Sequence, residues 1–243
     1  MQFHARSDKG KIREYNEDSC IAKNIGKYTL LILADGMGGH NGGETASKIA
    51  VDGICRLMER LLTDKMIPGQ IMLLLSEAVE YANKSILETS QKDSSLSGMG
   101  TTCDICLMTE NRAYIAHIGD GRIYKISPSG EILRLTKDHS LVEYMIDNGT
   151  ITREQAVNHP QKNVIMRALG TEQEIDPDIF SENISPGDVF LMGSDGLTNM
   201  VEEAELAEQA LSGDELPEIT KRLIDLANKA GGPDNITVII SRH

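Results

Sequence analysis

The order of elements legible in the chain predicts a layered α+β domain built on largely antiparallel sheets. Strand-like segments come first, two long amphipathic helices follow, and a second run of strands gives way to further helices and a closing strand. Turn signals punctuate the second run at close intervals, unlike the strand and helix alternation of a parallel sheet. Neither an internal repeat nor a linker divides the chain, so residues 1–243 are expected to form one domain.

Each element follows from its pattern. Residues 2–6 and 18–24 mix apolar and polar side chains as half-buried strands do, and Tyr28 to Ala34 (YTLLILA) reads as a fully buried strand ending at Asp35. After a glycine-rich stretch, Gly43 to Leu62 places Ala46, Ile49, Ala50, Ile54, Leu57, Met58 and Leu61 at helical spacing. Gln70 to Gln91 repeats that pattern behind the breaker Pro68-Gly69. Short β-type segments from Thr101 to Leu135, separated by Glu110-Asn111, Gly119-Asp120-Gly121 and Pro128-Ser129-Gly130, are expected to form an antiparallel meander. Residues 138–170 are more polar, with short helical pieces at Leu141 to Asn148 and Thr152 to Val157, and are read as a flap beside a site. Asp188 to Met192 (DVFLM) is a buried strand, Glu202 to Leu211 and Leu216 to Ala230 are helices, and Ile236 to Ser241 closes the chain as a strand.

Composition narrows the function classes. Hydrophobic residues make up 40% and charged residues 25%, the balance of a folded globular protein. A formal charge of -13 disfavours nucleic acid and anionic lipid, both of which are bound chiefly by neutralising phosphates with Lys and Arg. An acidic protein that handles phosphate needs a local positive charge, and bound metal ions supply one. No apolar signal core opens the chain and no stretch reaches the ~18 to 20 apolar residues of a membrane span. The four cysteines, Cys20, Cys55, Cys103 and Cys106, suit reduced thiols, so a cytoplasmic location is expected.

The chemistry is signalled by one recurrence. Apolar strands run out at an aspartate followed by glycine at Asp35-Gly36, Asp120-Gly121 and Asp195-Gly196, and Asp234 stands just before the last strand. An isolated Asp-Gly is ordinary turn chemistry, but four such places call for another reason. Were these carboxylates to converge, only cations would make the cluster tolerable, and an oxygen-only donor set suits Mg²⁺ or Mn²⁺ better than zinc.

The segments REYNED from Arg13 to Asp18, ADGMGGHNGGETAS from Ala34 to Ser47, GMGTT from Gly98 to Thr102, HIGDGRIY from His117 to Tyr124, SDGL from Ser194 to Leu197 and GGPDNITVI from Gly231 to Ile239 together resemble the metal-dependent, type 2C serine/threonine protein phosphatases in their bacterial form. Each motif is weak alone; the ordered set, spanning nearly the whole chain, is specific. The resemblance implies a four-layer α-β-β-α sandwich, two central antiparallel sheets flanked by helices. It also implies that Asp35 bridges two ions, that the Gly36 carbonyl completes one coordination sphere, and that Asp195 and Asp234 serve the other. Asp120 would hold a third, weaker ion shared with Asp195, while Glu17 and Asp18 would bind waters held by the ions. Arg13 would grip the substrate phosphate, which a planar fork of donors fits. Water activated between the ions would then attack phosphorus in line, without a phosphoenzyme. Phosphorylated proteins are the implied substrates and a cognate serine/threonine kinase the implied counterpart; nothing in the pattern asks for an oligomer.

Two departures qualify this picture. Animal members carry a histidine two positions after the bridging aspartate, a proposed general acid, where this chain has Met37; His40 is the candidate substitute, set against a histidine that merely caps the following helix or faces solvent. Many relatives have serine where this chain has Gly121, which would loosen the third ion.

Rival readings are weaker. The loop from Gly36 to Gly43 lacks the lysine and hydroxyl of a nucleotide-binding P-loop. Cys106 and Arg112 have the spacing of cysteine-based phosphatases, but Leu107 to Asn111 offers bulky side chains and a carboxylate where an anion cradle needs glycine. Cys103 and Cys106 form one CxxC without a second pair and should point to opposite faces of a strand. His117, His139 and His159 show no metal-ligand spacing and are read as structural or flap residues. A catalytically silent module that only binds phosphoproteins is the remaining alternative; retention of every acidic metal position speaks against it.

Overall fold

The structure, a computed structural model, describes residues 1–38 and 42–243. Three strands, β1 (Gln2–Asp8), β2 (Asp18–Ile25) and β3 (Tyr28–Met37), precede the long helices α1 (Gly42–Leu61) and α2 (Pro68–Lys92). Next come β4 (Gly100–Thr101), β5 (Cys103–Met108), β6 (Arg112–Ile118), β7 (Arg122–Ile126) and β8 (Ile132–Arg134). The helices α3 (Leu141–Asp147) and α4 (Arg153–Val157) lead to β9 (Asp178–Asn183), β10 (Val189–Gly193) and the short α5 (Asp195–Thr198). The helices α6 (Glu203–Ala210) and α7 (Leu216–Lys229) and the strand β11 (Ile236–Arg242) complete the chain.

The strands sort into two antiparallel sheets. One runs β1-β11-β10-β7-β8; the other runs β2-β3-β5-β6-β9, with β4 pairing on β3. Alternation along each strand then builds three apolar layers. On β3, Leu30, Ile32 and Ala34 pack against α1 and α2, while Leu31 and Leu33 face the opposing sheet. On β10, Val189 and Leu191 join the side chains of α6 and α7, while Phe190 and Met192 fill the space between the sheets. Burying each such Leu, Ile or Val contributes about 1.5–3 kcal/mol, and together these layers fix the α-β-β-α sandwich. Among the described residues, no helix is long and apolar enough to cross a membrane.

Two expectations need correction. The segment from Thr101 to Leu135 is not one meander: β5 and β6 belong to one sheet and β7 and β8 to the other, so the chain changes sheets across Gly119 to Gly121. A turn signal reports a reversal, not which sheet receives the next strand. The second is β9, an edge strand of sequence DIFSEN for which no strand was expected. Its adjacent apolar residues and three charged or amide side chains hide the period-two pattern, and pairing with β6 alone defines it. The short helices expected between 138 and 170 are present as α3 and α4.

The rival cysteine readings fail on geometry. Cys103 packs towards the helices and Cys106 between the sheets, on opposite faces of β5. Both are fully buried, and burial pushes the Cys106 thiol up to about 12, far from a reactive thiolate. Arg112 opens the next strand and its guanidinium bonds Asn183.

Candidate metal centre

The ends of both sheets meet around one cavity of about 640 Å³, lined by Arg13, Glu17, Asp35, Gly36, Asp120, Asp195 and Asp234, with Tyr15, Met37, Asn163, Ile165 and Asn235 among its other walls. Its acidic residues arrive from different elements. Asp35 lies near the end of β3, Asp120 in the crossing between the sheets, Asp195 at the first position of α5, and Asp234 two residues before β11. Residues spread over most of the chain are thus brought to one place. Asp18, buried, stands directly opposite Asp35 in the pairing of β2 with β3. Like charges at facing positions destabilise a sheet, so neither strand would choose this register for its own stability.

Local bonds lock the acidic positions. The Asp35 amide donates to Thr102 Oγ1 (2.9 Å), and its carbonyl accepts from Thr101 Oγ1 (2.9 Å) and from the Thr102 amide (2.9 Å). That is the structural use of the GMGTT segment. At Gly36 a Cβ would lie 2.2 Å from the Gly43 carbonyl oxygen and 2.6 Å from that of Glu17, so only glycine lets these three backbones meet. Asn235 was not expected as a site residue. It is buried, accepts from the Glu17 amide (2.8 Å) and donates to the carbonyls of Tyr15 (2.8 Å) and Lys9 (3.0 Å), pinning the loop that carries Arg13. A buried amide next to a strand-launching aspartate was its sequence signal.

Electrostatics set the chemistry. Burial first, then the charges of Asp18, Asp195, Asp120 and Asp234, push the Asp35 carboxyl well above the usual range. Asp195 is pushed up to about 8 by burial and by Asp120, Asp234 and Asp18. Asp120 rises to about 6 through burial, Asp138 and Asp104, and Asp18 to about 6 through burial that two hydroxyl bonds partly oppose. Burial also raises Glu17. Arg13 is the one cation among the described residues of the lining; its Nη2 donates to Asp234 Oδ2 at 2.7 Å, and that bond and charge hold it firmly protonated against burial.

The donor set fits divalent cations. Glu17 Oε1, Asp18 Oδ1 and Asp195 Oδ1 are buried without a hydrogen-bond partner, which costs a few kcal/mol each unless something positive meets them. These are hard oxygen donors, suited to Mg²⁺ or Mn²⁺. Among the described residues, no three acidic, histidine or cysteine side chains already form a ligand cage; Asp234 is engaged by Arg13 and by the Asn235 amide (2.8 Å). The expected general acid, His40, lies outside the described residues. Met37 lines the cavity where animal relatives have histidine, and its thioether has no proton to give.

Comparison with known proteins identifies the family. The family model described as Protein phosphatase 2C matches residues 11–233. The serine/threonine phosphatase stp of Listeria innocua is 39% identical over 249 residues, covering 99% of this chain and 95% of that protein. The crystal structure of the serine/threonine phosphatase PstP/Ppp of Mycobacterium tuberculosis superposes with a TM-score of 0.89 at 39% identity, covering 98% of this chain and 97% of that one. The catalytic domain of PstP in complex with two manganese ions superposes with a TM-score of 0.85 at 38% identity, over 98% and 96% of the two chains. With its motifs in order, its two-sheet sandwich and these relatives along nearly its whole length, the chain belongs to the protein phosphatase 2C family, as a serine/threonine phosphatase of the bacterial type.

Proposed function

We propose that the chain hydrolyses phosphoserine and phosphothreonine in proteins with water activated by two Mn²⁺ or Mg²⁺ ions, with a third ion more weakly held. The observation that carries this reading is the cluster of carboxyls lining one cavity, with buried oxygens on Glu17, Asp195 and the adjoining Asp18 that lack partners. When bound, the ions supply an activated water and neutralise the charge that builds on the phosphoryl oxygens. Asp35, the Gly36 carbonyl, Asp195 and Asp234 would hold the main pair of ions, and Asp120 would hold the third. Glu17 and Asp18, each with a buried oxygen that lacks a partner, would accept from waters held by the ions. Arg13, half exposed at the mouth and already turned inwards towards Asp234, is placed to take the phosphate of an incoming side chain. His40 is assigned as the proton donor to the leaving alcohol.

The family's two-manganese relative supports the choice of metal. Residues 138–170 act in this reading as a flap, because Asn163 and Ile165 reach the cavity wall. The enzyme works as a monomer in the cytoplasm, in keeping with cysteines that are all free, and reverses a cognate serine/threonine kinase. Phosphate release from a phosphothreonine peptide, compared in Mn²⁺ and in EDTA, tests the reading. Activity that survives EDTA would overturn the metal mechanism, and no release under any metal would favour the silent module.

A further inference from the structure

A closed circuit of hydrogen bonds begins and ends at Asp18. Its amide donates to Asn16 Oδ1 (3.2 Å), which fixes the orientation of that side chain and turns Asn16 Nδ2 to donate to Ser7 Oγ (2.8 Å). Ser7 Oγ lies 2.7 Å from Thr237 Oγ1, and Thr237 Oγ1 donates to Asp18 Oδ2 at 2.6 Å. The direction is forced: an ionised carboxylate only accepts, so the single Thr237 proton goes to Asp18 and the Ser7 proton to Thr237. A second arm reaches the same oxygen. The Thr237 amide donates to Ser194 Oγ (3.0 Å), which leaves the Ser194 proton for Asp18 Oδ2 (2.9 Å), with the Asn235 carbonyl a longer alternative at 3.4 Å.

Both donors thus converge on Oδ2, while Oδ1 stays buried and unpartnered on the side chain that faces Asp35 across the strand pair. The circuit also spans the two sheets. Asp18 and Asp35 belong to one sheet; Thr237, three residues after Asp234, belongs to the other, and Ser194, next to Asp195, directly follows that sheet's β10. Ser194 and Thr237 are themselves completely buried. Nothing in the apolar packing between sheets requires hydroxyls there, and a carboxylate among them is costly unless it is held for a purpose.

We propose that Thr237 and Ser194 are positioning residues for the metal centre: their hydroxyls hold Asp18 in one orientation and register the Asp35 half of the site to the Asp195 and Asp234 half. The inference rests on the metal reading above. Partners of this kind around a metal centre tune affinity by roughly 10–100-fold when removed.

The test titrates Mn²⁺ into the metal-free full chain by calorimetry, for wild type, Thr237→Val, Thr237→Ser, Ser194→Ala and Asp35→Asn, with folding checked by circular dichroism. Thr237→Val keeps the shape without the hydroxyl and is expected to weaken Mn²⁺ binding by about 10–100-fold, with Ser194→Ala in the same direction. Thr237→Ser, which restores the hydroxyl, should recover most of the affinity. At saturating Mn²⁺ the substrate KM of Ser194→Ala should match wild type, because only the ions' platform is altered. Folded Thr237→Val and Ser194→Ala chains that bind Mn²⁺ as wild type does, while Asp35→Asn does not, overturn this inference alone. Asp35→Asn binding Mn²⁺ normally overturns the metal reading beneath it. Should Thr237→Val fail to fold, unchanged affinity in Ser194→Ala is sufficient to reject the proposal.

Discussion

Replacing Asp35 with asparagine makes the sharpest test, because it should move stability and activity in opposite directions. In the metal-free chain Asp35 is enclosed among Asp18, Asp195, Asp120 and Asp234, so holding a carboxyl there is unfavourable whether it ionises or is forced to keep its proton. The scale follows from its neighbour. A rise from 3.8 to about 8 at Asp195 corresponds to roughly 6 kcal/mol at most, at about 1.4 kcal/mol for each tenfold change in the proton equilibrium. Water in the cavity screens part of this, and several groups share it, which leaves about 1–3 kcal/mol to be recovered by neutralising Asp35. For a chain of this size that is a rise in Tm of roughly 3–10 °C for the metal-free protein at pH 8. The same change removes a residue assigned to hold the ions, and losing several kcal/mol of charge stabilisation lowers turnover by about a thousandfold or more. Differential scanning fluorimetry with EDTA and with Mn²⁺, beside peptide phosphatase rates, reads both effects. An Asp35→Asn chain less stable without metal than wild type, yet still stabilised by Mn²⁺ and active, would refute the reasoning.

Four further outcomes are expected. Wild-type chain in EDTA should lose stability as pH rises from about 4 to about 8, because carboxyls with raised values, Asp195 up to about 8 and Asp120 and Asp18 to about 6, bind protons in the folded state that the unfolded state has released. Mn²⁺ should erase most of that slope, and a flat or rising metal-free profile over this window would contradict it. Arg13→Ala should cut kcat/KM by roughly 10–100-fold, through a charge-assisted phosphate contact of about 1.5–3 kcal/mol, with Mn²⁺ affinity retained; steady-state kinetics beside calorimetry decide it. Gly121→Ser should cost about 1–3 kcal/mol in urea unfolding, since a Cβ there lies 1.9 Å from Asp104 Oδ2 and would disturb the buried Asp104 and His117 pair at 2.6 Å. Cys106→Ser should keep phosphatase activity, as its thiol is sealed between the sheets; a folded, Mn²⁺-binding variant without activity would reopen the cysteine mechanism.

Much of this protein was legible from residue order alone. The period-two and helical repeats located nearly every element, because each carries one buried face and the apolar pattern records it. Asp35, Asp120 and Asp195 announced themselves by standing where buried strands run out, Asp234 by standing just before one, and all four line one cavity. What residue order could not convey is which strands become neighbours. A turn at Gly119 to Gly121 reads the same whether β7 returns to its own sheet or crosses to the other, and only the packing of two sheets against each other selects the crossing that delivers Asp120. β9 escaped notice because an edge strand takes its identity from one partner and not from its own alternation. The bonds of Asn235, Ser194 and Thr237 were hidden for the same reason. They join residues about 40 to more than 200 positions apart, and hydrogen-bond geometry over that range exists only once the chain has folded.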